Sequence, residues 1–130
     1  MKITYSNNKT EKICSDYKKA VKELGSEVAE RLSNLLNALE SFPTLLDIKG
    51  LPQYRLHSLG YNREYQYSLV IHKGYKWRLI IYPLDEQGNL LTDKSNETEM
   101  LSKTVAIEIV EVSEHYDWEN ENGKSPWYIC

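Results

Sequence analysis

Two histidines and a tyrosine stand beside strand-like segments and could transfer protons. His57 lies within residues 54–59, and His115 and Tyr116 follow the last stretch of alternating apolar residues. An imidazole with an ordinary pKa of about 6.5 can give or take a proton at neutral pH. The structural alternative is that His57 only hydrogen-bonds a neighbouring strand, and that His115 and Tyr116 belong to a solvated turn.

Arg78 is the residue that could hold an anion near such a histidine. It lies between Trp77 and Leu79 in a strand-like apolar run. A guanidinium in a strand usually faces an anion or a carboxylate, and it can bind a phosphate through two parallel hydrogen bonds. Arg78 therefore either contacts a ligand or forms an ion pair with Glu108 or Glu111 on a neighbouring strand.

Charge is distributed unevenly along the 130 residues, although the net charge is only −3. Residues 49–82 carry six basic side chains against Glu64 alone, whereas residues 83–130 carry eleven acidic side chains against three lysines. Because local field guides a polyanion more than total charge does, the middle segment is a candidate polyanion-binding surface; a solvated sheet face is the alternative. The candidate contact residues are Lys49, Arg55, Arg63, Lys73 and Lys76.

Tyrosines interleave with these basic residues. They are Tyr54, Tyr61, Tyr65, Tyr67 and Tyr75. Alternating basic and aromatic side chains suit RNA, but tyrosine is also common in strands for packing reasons alone. Most of the five are interpreted here as ordinary sheet residues.

The first 43 residues predict one strand and two helices. Residues 2–5 alternate between polar and apolar, as a short strand does. Apolar residues then recur at helical offsets from Ile13 to Leu24 and again from Val28 to Leu39. Gly25 separates the two stretches and Pro43 ends the second, so a helical hairpin is expected.

The remaining chain predicts antiparallel strands. Candidate strands cover 54–59, 65–72 and 76–82, the last ended by Pro83, with a turn at 73–75 and a final strand at 104–112. Residues 44–50 are interpreted as a connector, and 85–102 as a loop with a helical turn near 97–101. Segregated helices and strands predict an α+β domain over 1–117, with the helices on one sheet face. Residues 118–130 form a separate acidic tail.

Composition argues for a cytoplasmic protein without a metal or cofactor. Cys14 and Cys130 form no CxxC motif and are interpreted as reduced thiols. No apolar run has the length of a signal peptide core or a membrane span. The sequence also contains no glycine-rich phosphate loop and no GxSxG motif.

Several stretches, in this order, resemble the HigB-like (plasmid-killer) branch of the RelE/ParE toxin superfamily. Leu51-Pro52 with Leu56-His57-Ser58-Leu59 is similar to the family's Leu-Pro…Leu-His-x-Leu segment. Further similar segments are Asn62-Arg63 with Tyr65-Gln66-Tyr67-Ser68, then Tyr75-Lys76-Trp77-Arg78-Leu79-Ile80, then Ile107-Glu108-Ile109 followed by His115-Tyr116. The resemblance covers roughly 1–117 and implies a RelE-like fold, with a strand and a two-helix hairpin packed on a mainly antiparallel sheet of four to five strands.

The resemblance also implies a reaction. Toxins of this branch cut messenger RNA in the ribosomal A site, without a metal, through attack of the RNA's own 2′-hydroxyl on the adjacent phosphorus. His57 matches the family's histidine, and Arg78 would hold the scissile phosphate. The family usually ends in Asp-Tyr-His where this chain has Glu114-His115-Tyr116. One of His115 and Tyr116 would transfer a second proton while the other stacks on a base, and Glu114 would orient an imidazole.

A partner is implied as well. The expected antitoxin is a small HigA-like helix-turn-helix protein encoded by the adjacent gene, and promoter DNA would be bound only through the complex of the two. The ribosome and messenger RNA are the expected targets, and no membrane is involved. Two alternatives remain open: a ParE-like toxin that acts on DNA gyrase without cleaving RNA, and a toxin-like binding protein without catalysis.

Overall fold

The computed structural model describes residues 1–72, 74 and 76–114, with only the backbone described at Tyr61. The helices are α1 (Asn8–Ser15), α2 (Tyr17–Leu24), α3 (Ser26–Ser41), α4 (Leu45–Lys49) and α5 (Glu97–Ser102). The strands are β1 (Lys2–Tyr5), β2 (His57–Ser58), β3 (Tyr67–His72), β4 (Trp77–Leu84) and β5 (Ala106–Glu114). Short 3-10 turns occupy Pro52–Tyr54, Tyr61–Arg63 and Lys94–Asn96. The predicted tail, 118–130, lies outside the described residues.

The first predicted helix is divided in two at Asp16. This residue has an extended backbone, and its Oδ1 accepts hydrogen bonds from the backbone N–H groups of Lys18 (3.1 Å) and Lys19 (3.3 Å). An aspartate that caps the following turn competes with continuation of the helix, so α1 ends and α2 begins there. Gly25, with φ of +88°, then ends α2 as predicted.

The predicted connector 44–50 is wrong, because α4 forms within it. Asp47 Oδ2 accepts hydrogen bonds from both the backbone N–H and the hydroxyl of Thr44, each at 3.1 Å. These bonds fix the first turn. Leu45 and Ile48 are fully buried against the core. Burial of these two side chains outweighs the weak helical signal of so short a segment.

The sheet has the strand order β1-β5-β4-β3-β2. β1 runs parallel to β5, and the other pairs are antiparallel. The predicted α+β class and mainly antiparallel sheet are therefore confirmed. Pro83 does not end its strand as predicted. Pro83 lies within β4 and pairs with Ile107 of β5. Its carbonyl accepts a hydrogen bond from the backbone N–H of Leu91 at 3.0 Å.

The two faces of the sheet have different surroundings. One face packs on α3 and buries Tyr67, Leu69, Leu79, Ile81, Ile107 and Ile109 with the α3 leucines. Strand alternation places the intervening residues on the opposite face, which we call the far face. It carries His57, Ser68, Val70, Arg78 and Ile80. Within the described ranges, no helix has both the length and the apolar character needed to cross a membrane.

Candidate active site on the far face

Strand register brings His57 and Arg78 to the same face of the sheet. His57 lies opposite Ser68, and Arg78 lies opposite Val70, which is two residues further along β3. Two strand spacings sideways and two residues lengthwise correspond to a Cα–Cα separation of about 12 Å. Two long side chains can converge on one ligand across this separation. The positive charge of Arg78 also contributes to the lowered pKa of His57.

The orientation of His57 is set by the residue two positions before it. Arg55 adopts a left-handed backbone conformation (φ +46°, ψ +51°) after the turn Pro52–Tyr54, and its carbonyl lies 2.9 Å from His57 Nδ1. Because a carbonyl only accepts, Nδ1 carries the proton and Nε2 carries the lone pair of the neutral ring.

The protonation state of His57 follows from its surroundings. Burial lowers its pKa below the ordinary value, and the charges of Arg78 and Arg55 lower it further, against the opposing effect of the bond to the Arg55 carbonyl. A lowered pKa keeps the imidazole neutral at neutral pH. The basic nitrogen of His57 is therefore Nε2, and this atom has almost no exposed surface in the structure.

Arg78 lies at the start of β4 and is only 8% exposed. Its Nη1 donates a hydrogen bond to the Trp77 carbonyl at 3.0 Å. The carboxylates considered as its structural partners both have other contacts. Glu111 forms an ion pair with Arg63, and Glu108 accepts a hydrogen bond from the Ser6 hydroxyl at 2.5 Å. A ligand can approach Arg78 only over a small area.

The centre of the far face is apolar. Leu59 and Ile80 are fully buried and pack with Val110. Arg63, in the turn Tyr61–Arg63, reaches Glu111 of β5 and also donates to the Gln66 side chain at 2.9 Å. The far face thus carries an apolar patch, the Arg63–Glu111 ion pair, and the side chains of His57 and Arg78.

The predicted RNA-contact residues are divided between two regions. Arg55 and Lys76 are exposed and directly precede β2 and β4, the strands that carry His57 and Arg78. Lys49 lies elsewhere. Its Nζ is 2.5 Å from Glu97 Oε1, and the same carboxylate accepts a hydrogen bond from the buried Tyr67 hydroxyl. Lys49 therefore belongs to a cluster on the α3 side of the sheet.

The last group of predicted site residues falls at the end of β5. Glu114 pairs with Trp77 and, by alternation, shares the α3 side of the sheet with Val112, whereas Ser113 lies opposite Arg78 on the far face. The structure does not bring Glu114 together with His57. Lys73, His115 and Tyr116 lie outside the described residues, so their predicted roles stay predictions.

Two residues that the sequence did not single out as a pair come together near His57. Lys94 Nζ lies 5.4 Å from the ring centroid of Tyr65 and donates a hydrogen bond to the Leu59 carbonyl at 3.4 Å. Lys94 stands within an acidic segment, and only the turn-capping Asp93 beside it signals local structure. No sequence pattern connects it to a residue 35 positions earlier.

Elsewhere in the described part of the chain, the structure shows neither a reactive cysteine thiolate nor a metal site. Burial raises the pKa of the free Cys14 thiol to about 12, so it has little thiolate at neutral pH. No three His, Cys, Asp or Glu side chains lie close enough to hold a metal ion among residues 1–72, 74 and 76–114. Cys130 lies outside the described residues.

Comparison with solved structures gives a structural likeness. No protein-family model matches the chain, and no curated protein sequence matches it. A YoeB/ParE toxin from Agrobacterium tumefaciens has a similar structure, with a TM-score of 0.48 and 13% sequence identity, over 89% of this chain and 100% of that one. At this level of similarity, the likeness does not by itself assign a function.

Proposed function

We propose that this chain is the toxin of a type II toxin–antitoxin system and acts as a ribosome-dependent messenger RNA endoribonuclease. The observation that carries the proposal is the placement of His57 and Arg78 on one sheet face, with a neutral imidazole whose lone pair is on the buried Nε2, so that RNA would reach it by displacing the side chains that cover it. The resemblance of residues 51–59, 62–69, 75–81 and 107–116 to the HigB-like branch supplies the substrate class. The chain would act in the cytoplasm.

The reaction begins with the RNA itself. His57 Nε2 takes the proton of a 2′-hydroxyl, whose oxygen then attacks the adjacent phosphorus. Arg78 stabilises the charge that develops on the phosphorane oxygens. The P–O5′ bond breaks, leaving a 2′,3′-cyclic phosphate and a 5′-hydroxyl. The leaving oxygen needs a proton, and His115 or Tyr116 is its proposed source.

The lowered pKa of His57 suits this role and not that of a general acid. A neighbouring guanidinium disfavours the imidazolium in the resting site, so the base is available at neutral pH. When negative charge builds on the phosphorane, it offsets the repulsion between the two cations. A protein that only bound DNA gyrase would have no need for this pairing.

Binding to the ribosome would use the exposed cations that flank the far face. Arg55 and Lys76 would contact RNA phosphates, which makes affinity fall as salt rises. The proposed regulator is the helix-turn-helix antitoxin encoded beside this gene. Purification of the tagged chain together with the neighbouring gene product tests this partner. Failure of the two proteins to bind each other would contradict it.

Induced expression in a bacterial host tests the activity. The wild type should arrest translation and leave cleaved messages with 5′-hydroxyl ends. His57→Gln should lower the cleavage rate about 10²- to 10⁴-fold, the usual contribution of a general base. The matched control is His72→Gln, because His72 faces α3, where its Nε2 lies 3.0 Å from Glu27 Oε1.

Each of the other outcomes has a definite meaning. If His57→Gln cleaves messages as fast as the wild type at equal abundance, the catalytic assignment is wrong. DNA damage and filamentation without cleaved RNA would indicate a gyrase poison instead. Harmless expression of a folded wild type would indicate a binding protein.

A further inference from the structure

We infer that Tyr65 and Lys94 form a nucleotide subsite next to His57, in which the tyrosine ring stacks on an unpaired RNA base and the ammonium contacts its phosphate. The inference rests on the proposed RNA cleavage and names the part of the site that binds the neighbouring nucleotide. Both residues lie outside the two hydrophobic clusters found among the described residues.

Leu59 places the pair close to the catalytic histidine. Its backbone N–H donates to the carbonyl of Gln66, the residue after Tyr65, at 3.0 Å, and its own carbonyl accepts from Lys94 Nζ. Leu59 is two residues after His57, so the two Cα atoms are at most about 7 Å apart. The Lys94 ammonium and the backbone next to Tyr65 therefore lie beside the segment that carries His57.

The backbone of Tyr65 is the second observation. Its φ is +72°, a left-handed conformation that a bulky side chain rarely adopts and that glycine adopts freely. Strain of this kind occurs often at functional sites, because surrounding contacts must hold it in place. The Tyr65 ring is only half-buried, so packing against the core offsets little of this backbone strain.

Tyr65 differs in this respect from the other tyrosines near the site. Tyr67 is fully buried in the main core, and Tyr54 packs against it. The interpretation of these tyrosines as ordinary sheet residues therefore fits Tyr67 and Tyr54 but not Tyr65. The Tyr65 ring lies outside the core, its backbone is strained, and a lysine lies over its face. These are the features expected of a ring that stacks on a base.

The chemistry of the pair favours single-stranded RNA. An unpaired base exposes a flat π-surface that can stack on tyrosine, whereas a base in a duplex is already stacked on its neighbours. Lys94 is exposed and can contact a phosphate while its stem stays on the ring. The nearby Glu97 carboxylate is already engaged by Lys49 and Tyr67.

Binding is tested on ribosomes programmed with a message whose A-site codon carries 2′-O-methyl groups, so that the nucleophile is blocked. Tyr65→Gly should weaken binding about tenfold or more, the usual effect of losing one stacked base. Its thermal midpoint should equal or exceed that of the wild type, because glycine relieves the strain. Tyr65→Phe should bind like the wild type, and Lys94→Met should bind more weakly. The matched control is Tyr17→Ala, an exposed tyrosine on α2.

An abasic nucleotide, placed in turn at each position of that codon, identifies the contact directly. At the position that stacks on Tyr65, removal of the base should weaken the wild type and leave Tyr65→Gly unchanged. Equal losses for both proteins at every position would overturn the subsite. If the wild type cleaves the unmodified message and Tyr65→Gly binds normally, the subsite alone is wrong. If the wild type neither cleaves nor binds RNA, both proposals are wrong.

Discussion

Replacement of Ser68 by alanine should make the protein more stable. Ser68 lies on the far face directly opposite His57 and is 0% exposed. Its hydroxyl has no hydrogen-bond partner among the described residues. A buried hydroxyl that loses its hydrogen bonds to water and forms no others destabilises the folded state.

The size of the effect follows from two opposing contributions. Leaving a buried polar group without a partner costs about 1–3 kcal/mol, and Ser68→Ala removes that cost. The lost oxygen leaves a void of roughly 10 Å³, which costs about 0.2 kcal/mol at about 24 cal/mol per Å³. The free energy of unfolding should therefore rise by about 1 kcal/mol or more. For a chain of this size, the thermal midpoint should rise by about 3–5 °C.

Urea titration and thermal unfolding followed by circular dichroism measure this change. The matched control is Thr104→Val, because Thr104 is equally buried but its hydroxyl donates to the Met100 carbonyl at 3.0 Å. That variant should lose about 1–2 kcal/mol of stability. If Ser68→Ala is destabilised in the same way, the Ser68 hydroxyl is hydrogen-bonded in the folded protein and the reasoning fails. Cleavage by Ser68→Ala should equal that of the wild type, because the Ser68 hydroxyl takes no part in the proposed reaction.

Two further predictions concern His57 and the residue that orients it. Since the pKa of His57 is lowered in the folded state, the unfolded chain binds a proton that the folded chain does not. Stability should therefore fall as pH drops below about 6.5, and His57→Gln should remove this part of the slope in urea titrations at pH 7 to 5; an unchanged slope would contradict the shift. Arg55, with φ of +46°, should tolerate glycine better than alanine by about 1 kcal/mol in the same titrations. Equal stabilities would show that the left-handed backbone is not strained.

The fold could be predicted where local pattern and tertiary packing agree. The apolar offsets of α3 predict the buried stripe that includes Leu32, Leu35 and Leu39, and strand alternation predicts β3 and β4 within two residues of their ends. β2 shortens to two residues, because the turn Pro52–Tyr54 and the left-handed Arg55 occupy the first half of the predicted strand. A 3-10 turn gives no periodic signal over three residues.

The residues of the site are harder to predict, because a β-bulge changes which face of the sheet each following side chain lies on. A shift of one residue in register moves a side chain to the other face. Glu108 and Glu111 are three apart, so strict alternation would place them on opposite faces. The register shift between Ile80 and Ile81 places both glutamates on the far face, where Glu108 lies opposite Tyr82 and Glu111 lies opposite Ile80. The sequence contains the residues of the site but not these shifts.

The charge of a surface is also hard to predict from the sequence. The net charge of +5 over residues 49–82 is a correct count, but it does not describe one surface. Lys49 pairs with Glu97 on the α3 side, whereas Lys94, from a segment whose charge is strongly negative, donates to the Leu59 carbonyl and also lies near Glu97. Lys94 thereby lies beside the backbone of Leu59, two residues after His57, although it stands 37 positions after His57 in the sequence. The net charge of a sequence segment therefore does not predict a local surface charge, because tertiary contacts, and not position along the sequence, decide which cations lie together.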